Sequence, residues 1–256
     1  MANGAKYITI LRDPWSQFKS SFSFFNWAHV VEEAIGNTTH HLEKFLNNPG
    51  RFYKWQNAPI HKQYMRNFMS FDLGLPLHQY DDVNAIVRFV NMIEKDFDLV
   101  MLLEYFDESL ILLKRLLCWK LEDILYLKIN QRKKLTPVQS NAEQLYRHFS
   151  QADYTLYEHF AAIIQRRMSE SPGLHEEVAY FREINLEYLL FCKQASRNES
   201  LLFEVDRSNW NLKFTLDVSY CTKSRLYILH YVDQLKRTRY GIGTETPTRK
   251  PFYWHI

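Results

Sequence analysis

One strand-to-helix junction constrains the fold of this chain more than any other feature. Tyr7-Ile8-Thr9-Ile10-Leu11 is a short apolar and β-branched run. It predicts a buried strand, because such side chains pack well on a pleated surface. The run stops at Arg12-Asp13-Pro14, where Asp13 can cap a helix and Pro14 suits its first position. Phe18, Phe22 and Phe25 follow at i, i+4 and i+7, an apolar stripe of helical period. Ser16, Ser20 and Ser23 fall on roughly the opposite side.

The pattern recurs further along. Val83, Ile86, Val87, Val90 and Ile93 predict a helix from about Asp82 to Lys95. Asp98 then introduces Leu99-Val100-Met101-Leu102-Leu103, a second buried strand, and Glu104 to Trp119 returns to helical period. Strand–helix–strand–helix order implies an α/β fold with a parallel sheet and helices on its faces. Residues 36–82 hold most of the loop signals: Gly36-Asn37, Asn47-Asn48-Pro49-Gly50, Ala58-Pro59 and Leu73-Gly74-Leu75-Pro76. Residues 141–195 read as two or three long amphipathic helices broken at Ser171-Pro172-Gly173. The whole is taken as one domain, residues 1–256, with an α/β part over 1–135 and a mainly helical part over 136–256.

At 46% hydrophobic and 24% charged, with few Gly and Pro, 256 residues are enough for a sizeable core. The 16 Tyr and 18 Phe mostly belong to that core. A formal charge of +3, from 32 basic and 29 acidic residues, is too balanced for a nucleic-acid partner, which needs a concentrated basic face. Cys118, Cys192 and Cys221 have no zinc-like or CxxC spacing. They allow one disulfide and a free thiol, or three buried thiols. No apolar run approaches the roughly 20 residues that span a bilayer, and Met1 to Lys6 has no signal-peptide or anchor character. Two sequons, Asn37-Thr38-Thr39 and Asn198-Glu199-Ser200, are candidate glycan acceptors.

The junction is also where anion chemistry can sit. Arg12, at the carboxyl end of a strand, offers a fork of donors suited to a phosphate dianion. The following helix adds amide hydrogens and its positive dipole end, and Ser20 can add a hydroxyl. Ligands of open α/β sheets bind outside the carboxyl ends of their strands. The same residues also describe an ordinary strand-to-helix turn with an exposed Arg and a capping Asp.

Tyr7 to Pro14, with Ser20 eight residues after Arg12, resembles the 3′-phosphate-binding motif of sulfotransferases that use the sulfate donor PAPS. Asp98 to Leu110, running on to Leu116-Leu117-Cys118-Trp119, resembles the galactose-3-O-sulfotransferase family. Arg66-Asn67 with Phe71-Asp72-Leu73-Gly74, and Leu125 to Arg132, fit that family in the same order. The likeness covers residues 5–135 well and the remainder loosely. It implies a P-loop-like fold and sulfuryl transfer from PAPS to the 3-hydroxyl of galactose on a glycolipid or glycan. It also implies the lumenal side of the Golgi membrane and no metal at the reacting centre. Arg12 and Ser20 would hold the 3′-phosphate of the donor; no catalytic base is assigned.

In that family a strand and a Lys-containing loop for the 5′-phosphosulfate lie upstream of this motif. Only eleven residues precede Arg12. The resemblance therefore implies that this loop, the usual His candidates for the base and the membrane anchor are missing from this chain. The second reading is a truncated or inactive relative with a nucleotide-binding or scaffold role. No G-x-x-x-x-G-K-[ST] occurs, which disfavours a phosphate-transferring P-loop enzyme.

Other candidates have plainer explanations. His40-His41 reads as a solvated helix start capped by Thr38 or Thr39. His61, His78, His148 and His159 lack ligand spacing. Glu104 to Glu108 reads as a strand end followed by helix-capping acids rather than a glycosidase pair. Lys128, Asn130, Arg132, Lys133 and Lys134 read as a basic loop, and Arg166-Arg167 and Lys236-Arg237-Thr238-Arg239 as solvated helix faces.

Overall fold

The protein is described by a computed structural model covering residues 4–54, 62–128, 141–195, 200–226 and 228–241. It divides into two compact units, Met1–Leu110 with Lys134–Pro172, and Ile111–Lys133 with Gly173–Ile256.

In the first unit β1 (Ile8–Leu11) pairs in parallel with β2 (Leu99–Leu102), in the register Ile8↔Leu99 through Leu11↔Leu102. Both strands lie where the apolar runs place them. β2 is buried throughout, whereas Ile10 on β1 is 46% exposed. The connection holds α1 (Pro14–Phe24), α2 (Trp27–Ile35), α3 (His41–Asn47), α4 (Pro49–Tyr53), α5 (Phe68–Asp72) and α6 (Val83–Asp96). α6 starts one residue later than Asp82, because Asp82 is its cap and accepts from the Asn84 and Ala85 amides.

Three short helices thus occupy a region whose sequence signals loops. α4 has the signature of a capped start: the Asn48 side chain accepts from the Arg51 amide and Pro49 stands first. α3 differs from expectation. Its cap is His40 in a left-handed conformation, with no side-chain cap bond, and the Thr38 hydroxyl donates to the Thr39 carbonyl.

α8 (Ala142–Phe149) and α9 (Gln151–Glu170) complete this unit. Its core is strongly aromatic. Phe18 stacks on Tyr146 with centroids 4.0 Å apart and meets Phe22 and Phe45 edge-on or tilted. Trp27, Phe18 and Phe45 are fully buried. α7 (Phe106–Leu117) begins in this unit and ends in the second.

The second unit carries α10 (Leu174–Ala195), the antiparallel hairpin β3 (Leu202–Val205) and β4 (Phe214–Asp217), α11 (Val218–Ser224) and α12 (Ile228–Tyr240). The break before α10 falls at Ser171-Pro172-Gly173 as expected, with Gly173 at φ +65° against the Trp210 ring. The hairpin adds one strand pair to a C-terminal part that is otherwise helical. Its strands are four residues each, too short to stand out beside long helical patterns.

Cys192 and Cys221 form a disulfide joining α10 to α11, and Cys118 is an exposed free thiol. Of the two cysteine arrangements, the bridged one therefore holds. A buried charge cluster ties the same unit together: Glu177, 2% exposed, accepts from Lys114 at 2.8 Å and from Arg115 at 2.8 and 2.6 Å. No helix among the described residues is long and apolar enough to cross a membrane.

Candidate functional site

The carboxyl ends of β1 and β2 lie side by side, and the chain leaves them as two differently built turns. After β1, Asp13 caps α1: its carboxylate accepts from the Ser16 amide at 2.8 Å and its carbonyl from the Gln17 amide at 2.9 Å. Pro14 takes the first helical position. Trp15, Phe18 and Phe22 anchor one side of α1 in the core, while Ser16 and Ser20 stay half-buried on the other. After β2 the chain makes a 3-10 turn over Leu103–Tyr105.

Glu104, in that turn, crosses to the first strand. Its Oε1 accepts from the Asp13 amide at 2.9 Å and its Oε2 from the Tyr157 hydroxyl at 3.0 Å. Burial and the Glu104 charge raise the Tyr157 phenol well above its ordinary value, so Tyr157 remains a donor. The Arg12 amide donates to the Met69 sulfur at 3.3 Å, and Lys19 lies over the Trp15 ring, 5.1 Å from its centroid.

Arg12 and Ser20 therefore stand on the elements assigned to them, with Ser20 one helical turn beyond Ser16. Ser20 lies six positions after Pro14, ~9 Å along the axis. The amides of Ser16, Gln17 and Asp13 are already bonded, which revises the picture of an open helix N-terminus. With those amides engaged, the side chains of Arg12 and Ser20 are the candidate anion donors at this junction.

Within Glu104 to Glu108, whose sequence reads as a strand end followed by helix-capping acids, Glu104 bonds outside its own helix. It caps the neighbouring strand's exit, a contact 91 residues apart in sequence, and Asp107 and Glu108 occupy the first turn of α7. The one available signal was its place, two residues past a strand end.

Two candidate histidines serve as partners of glutamates. His41 meets Glu32 and His159 meets Glu94, each at 2.7 Å. Among the described residues no group of three His, Cys, Asp or Glu side chains could hold a metal ion. Lys128 is exposed, and so are Arg166 and Arg167, though Arg167 also donates to the Asp98 carbonyl. His61, Asn130, Arg132, Lys133, Lys134 and Asn198 lie outside the described residues. Two clefts of about 410 and 490 Å³ border α8, and neither is lined by Arg12, Asp13 or Ser20.

A family model for galactose-3-O-sulfotransferase matches residues 1–204. The chain belongs to the galactose-3-O-sulfotransferase family. It is 38% identical to galactosylceramide sulfotransferase of Mus musculus over 195 residues, 74% of this chain and 45% of that protein. It is 36% identical to galactose-3-O-sulfotransferase 3 of Bos taurus over 200 residues, covering 75% and 46%. Galactose-3-O-sulfotransferase 2 of Mus musculus is 31% identical over 204 residues, covering 76% and 50%. The chain spans about half the length of these curated relatives. No solved structure matches it. The family match runs past residue 135 through α8, α9 and α10, so the likeness extends beyond the blocks that first carried it.

Proposed function

We propose that this chain serves sulfuryl transfer from PAPS to the 3-hydroxyl of a galactose residue on a glycolipid or glycan, with Arg12 and Ser20 holding the 3′-phosphate of the donor. The observation that carries the reading is the position of Arg12. In a chain of this family it leaves the carboxyl end of a parallel strand, directly before an Asp-capped, Pro-started helix that bears Ser20. Arg12 supplies a charge and a planar fork of donors, and Ser20 a hydroxyl. Tyr157 and the Asp13 amide keep the Glu104 carboxylate engaged. The donor contributes the sulfuryl group itself. In the same reading β1 and β2 belong to a P-loop-like sheet.

The proposal assigns the lumenal side of the Golgi membrane. The Cys192–Cys221 disulfide supports an oxidising compartment, and Asn37 sits exposed in the loop after α2, accessible to glycosylation.

The test is a calorimetric comparison of adenosine 3′,5′-bisphosphate with adenosine 5′-monophosphate, which lacks the 3′-phosphate. A charged hydrogen bond is worth about 1.5–3 kcal/mol, so the bisphosphate should bind about ten-fold tighter or more. Equal affinities would remove 3′-phosphate recognition from this chain.

A further inference from the structure

Two helices of the first unit start against each other. α5 begins after Asn67 and α9 after Ser150. Each N-terminus brings unpaired amides and a positive partial charge, so an unmodified meeting of the two would be unfavourable. They are cross-capped instead. The Ser150 hydroxyl accepts from the Asn67 amide at 2.6 Å, and Asn67 Oδ1 accepts from the Asp153 amide at 3.2 Å. The Asp153 carboxylate lies at the start of α5. One oxygen accepts from the Ser70 amide at 2.8 Å and the Ser70 hydroxyl at 2.7 Å, and the other from the Met69 amide at 3.2 Å. Asp153 is 1% exposed and Asn67, Ser70 and Ser150 are 0% exposed. A carboxylate so removed from water persists only with its lone pairs used, and here three donors use them.

Met69 faces the strand ends with its other end. Its sulfur accepts the Arg12 amide hydrogen, one residue beyond the last paired position of β1. Sulfur is a weak acceptor on a flexible stem. Where it stands therefore depends on where the Met69 backbone is fixed, and Asp153 fixes it.

We propose that Asp153 is a positioning residue for the anion clamp: it holds Met69, and Met69 holds the Arg12 backbone from which the guanidinium projects. This rests on the reading of Arg12 as an anion-holding side chain. The sequence offers no sign of the link, since residues 12, 69 and 153 belong to three separate segments.

Two substitutions isolate it. In Asp153→Asn the amide oxygen keeps the Ser70 donors, while the new NH2 faces the Met69 amide, donor against donor. Met69→Leu keeps the packing and removes the sulfur. The readout is hydrogen–deuterium exchange of the Arg12 amide in the full chain, compared with core amides such as Leu102 and Phe160. A merely structural loss speeds all of these alike. The proposal expects the Arg12 amide to exchange about ten-fold faster in both variants, beyond any change in the core amides. Calorimetry should show adenosine 3′,5′-bisphosphate binding about three- to ten-fold more weakly in both.

Arg12 exchange that tracks the core amides in Met69→Leu overturns the proposal, whether or not Asp153→Asn folds. If the unaltered chain does not bind the bisphosphate but Arg12 exchange rises selectively, the phosphate reading fails and the hold of Asp153 on the Arg12 backbone stands.

Discussion

The Glu104 carboxylate accepts the Asp13 amide hydrogen at 2.9 Å, so a side chain joins the exits of the two parallel strands just past their last paired residues. This places a negative charge beside the proposed phosphate position. Glu104→Gln keeps an acceptor for Asp13 and removes the charge. Binding of adenosine 3′,5′-bisphosphate should tighten by about two- to five-fold at low ionic strength, with the gain shrinking in 0.5 M salt. Calorimetry at two salt concentrations is the check. A weaker complex in Glu104→Gln would show that the carboxylate assists the ligand.

Asp153 makes stability respond to pH in an unusual direction. Burial lifts its carboxyl from 3.8 to about 6, against the downward pull of the Ser70 and Met69 hydrogen bonds. Asp72 pushes it further up, and the Tyr80 and Tyr146 phenols face it as well. The folded chain thus binds this proton more tightly than the unfolded one. Stability from Asp153 is fully present below about pH 4 and is lost as pH rises through about 6, on the order of 3 kcal/mol in all. Denaturant unfolding from pH 4 to 7 should show the wild type gaining stability relative to Asp153→Asn as pH falls. Parallel curves would contradict the assignment.

The Cys192–Cys221 bridge closes a loop with a sequence separation of 29. Constraint of the unfolded chain over that length is worth about 3–4 kcal/mol. Cys221→Ser, or reduction, should lower the unfolding midpoint of the second unit accordingly. An unchanged midpoint would mean that the bridge does not form in the protein as made.

Glu177 is nearly excluded from water while two cations converge on it. Glu177→Ala leaves Lys114 and Arg115 without their shared partner, and losing one member of a buried pair costs about 3–5 kcal/mol. Urea unfolding should register that loss. Lys114→Met should cost less, because Arg115 still satisfies the carboxylate.

What the sequence showed follows from the range of the forces involved. The two strands, the Asp13 cap, the start of α6 near Asp82 and the break at Ser171-Pro172-Gly173 are local, written in neighbouring residues. Membership of the family followed from four blocks in order. The β3–β4 hairpin escaped because four-residue strands carry little periodicity. α3 escaped its expected cap because His40 adopts a left-handed backbone, which no threonine upstream announces. The contacts that shape the site, Glu104 to Asp13, Met69 to Arg12 and Asp153 to Met69, join residues 57 to 91 positions apart. Side-chain bonds across that distance leave no periodic trace.

The central claim is that Arg12 and Ser20 grip a phosphate at the end of β1. The direct measurement is titration of adenosine 3′,5′-bisphosphate into the wild type, Arg12→Ala and Ser20→Ala. Arg12→Ala should weaken binding by about 1.5–3 kcal/mol, the value of a charged hydrogen bond, and Ser20→Ala should cost about 0.5–1.5 kcal/mol. Equal affinity in the wild type and Arg12→Ala would contradict the account and move the anion site away from this junction.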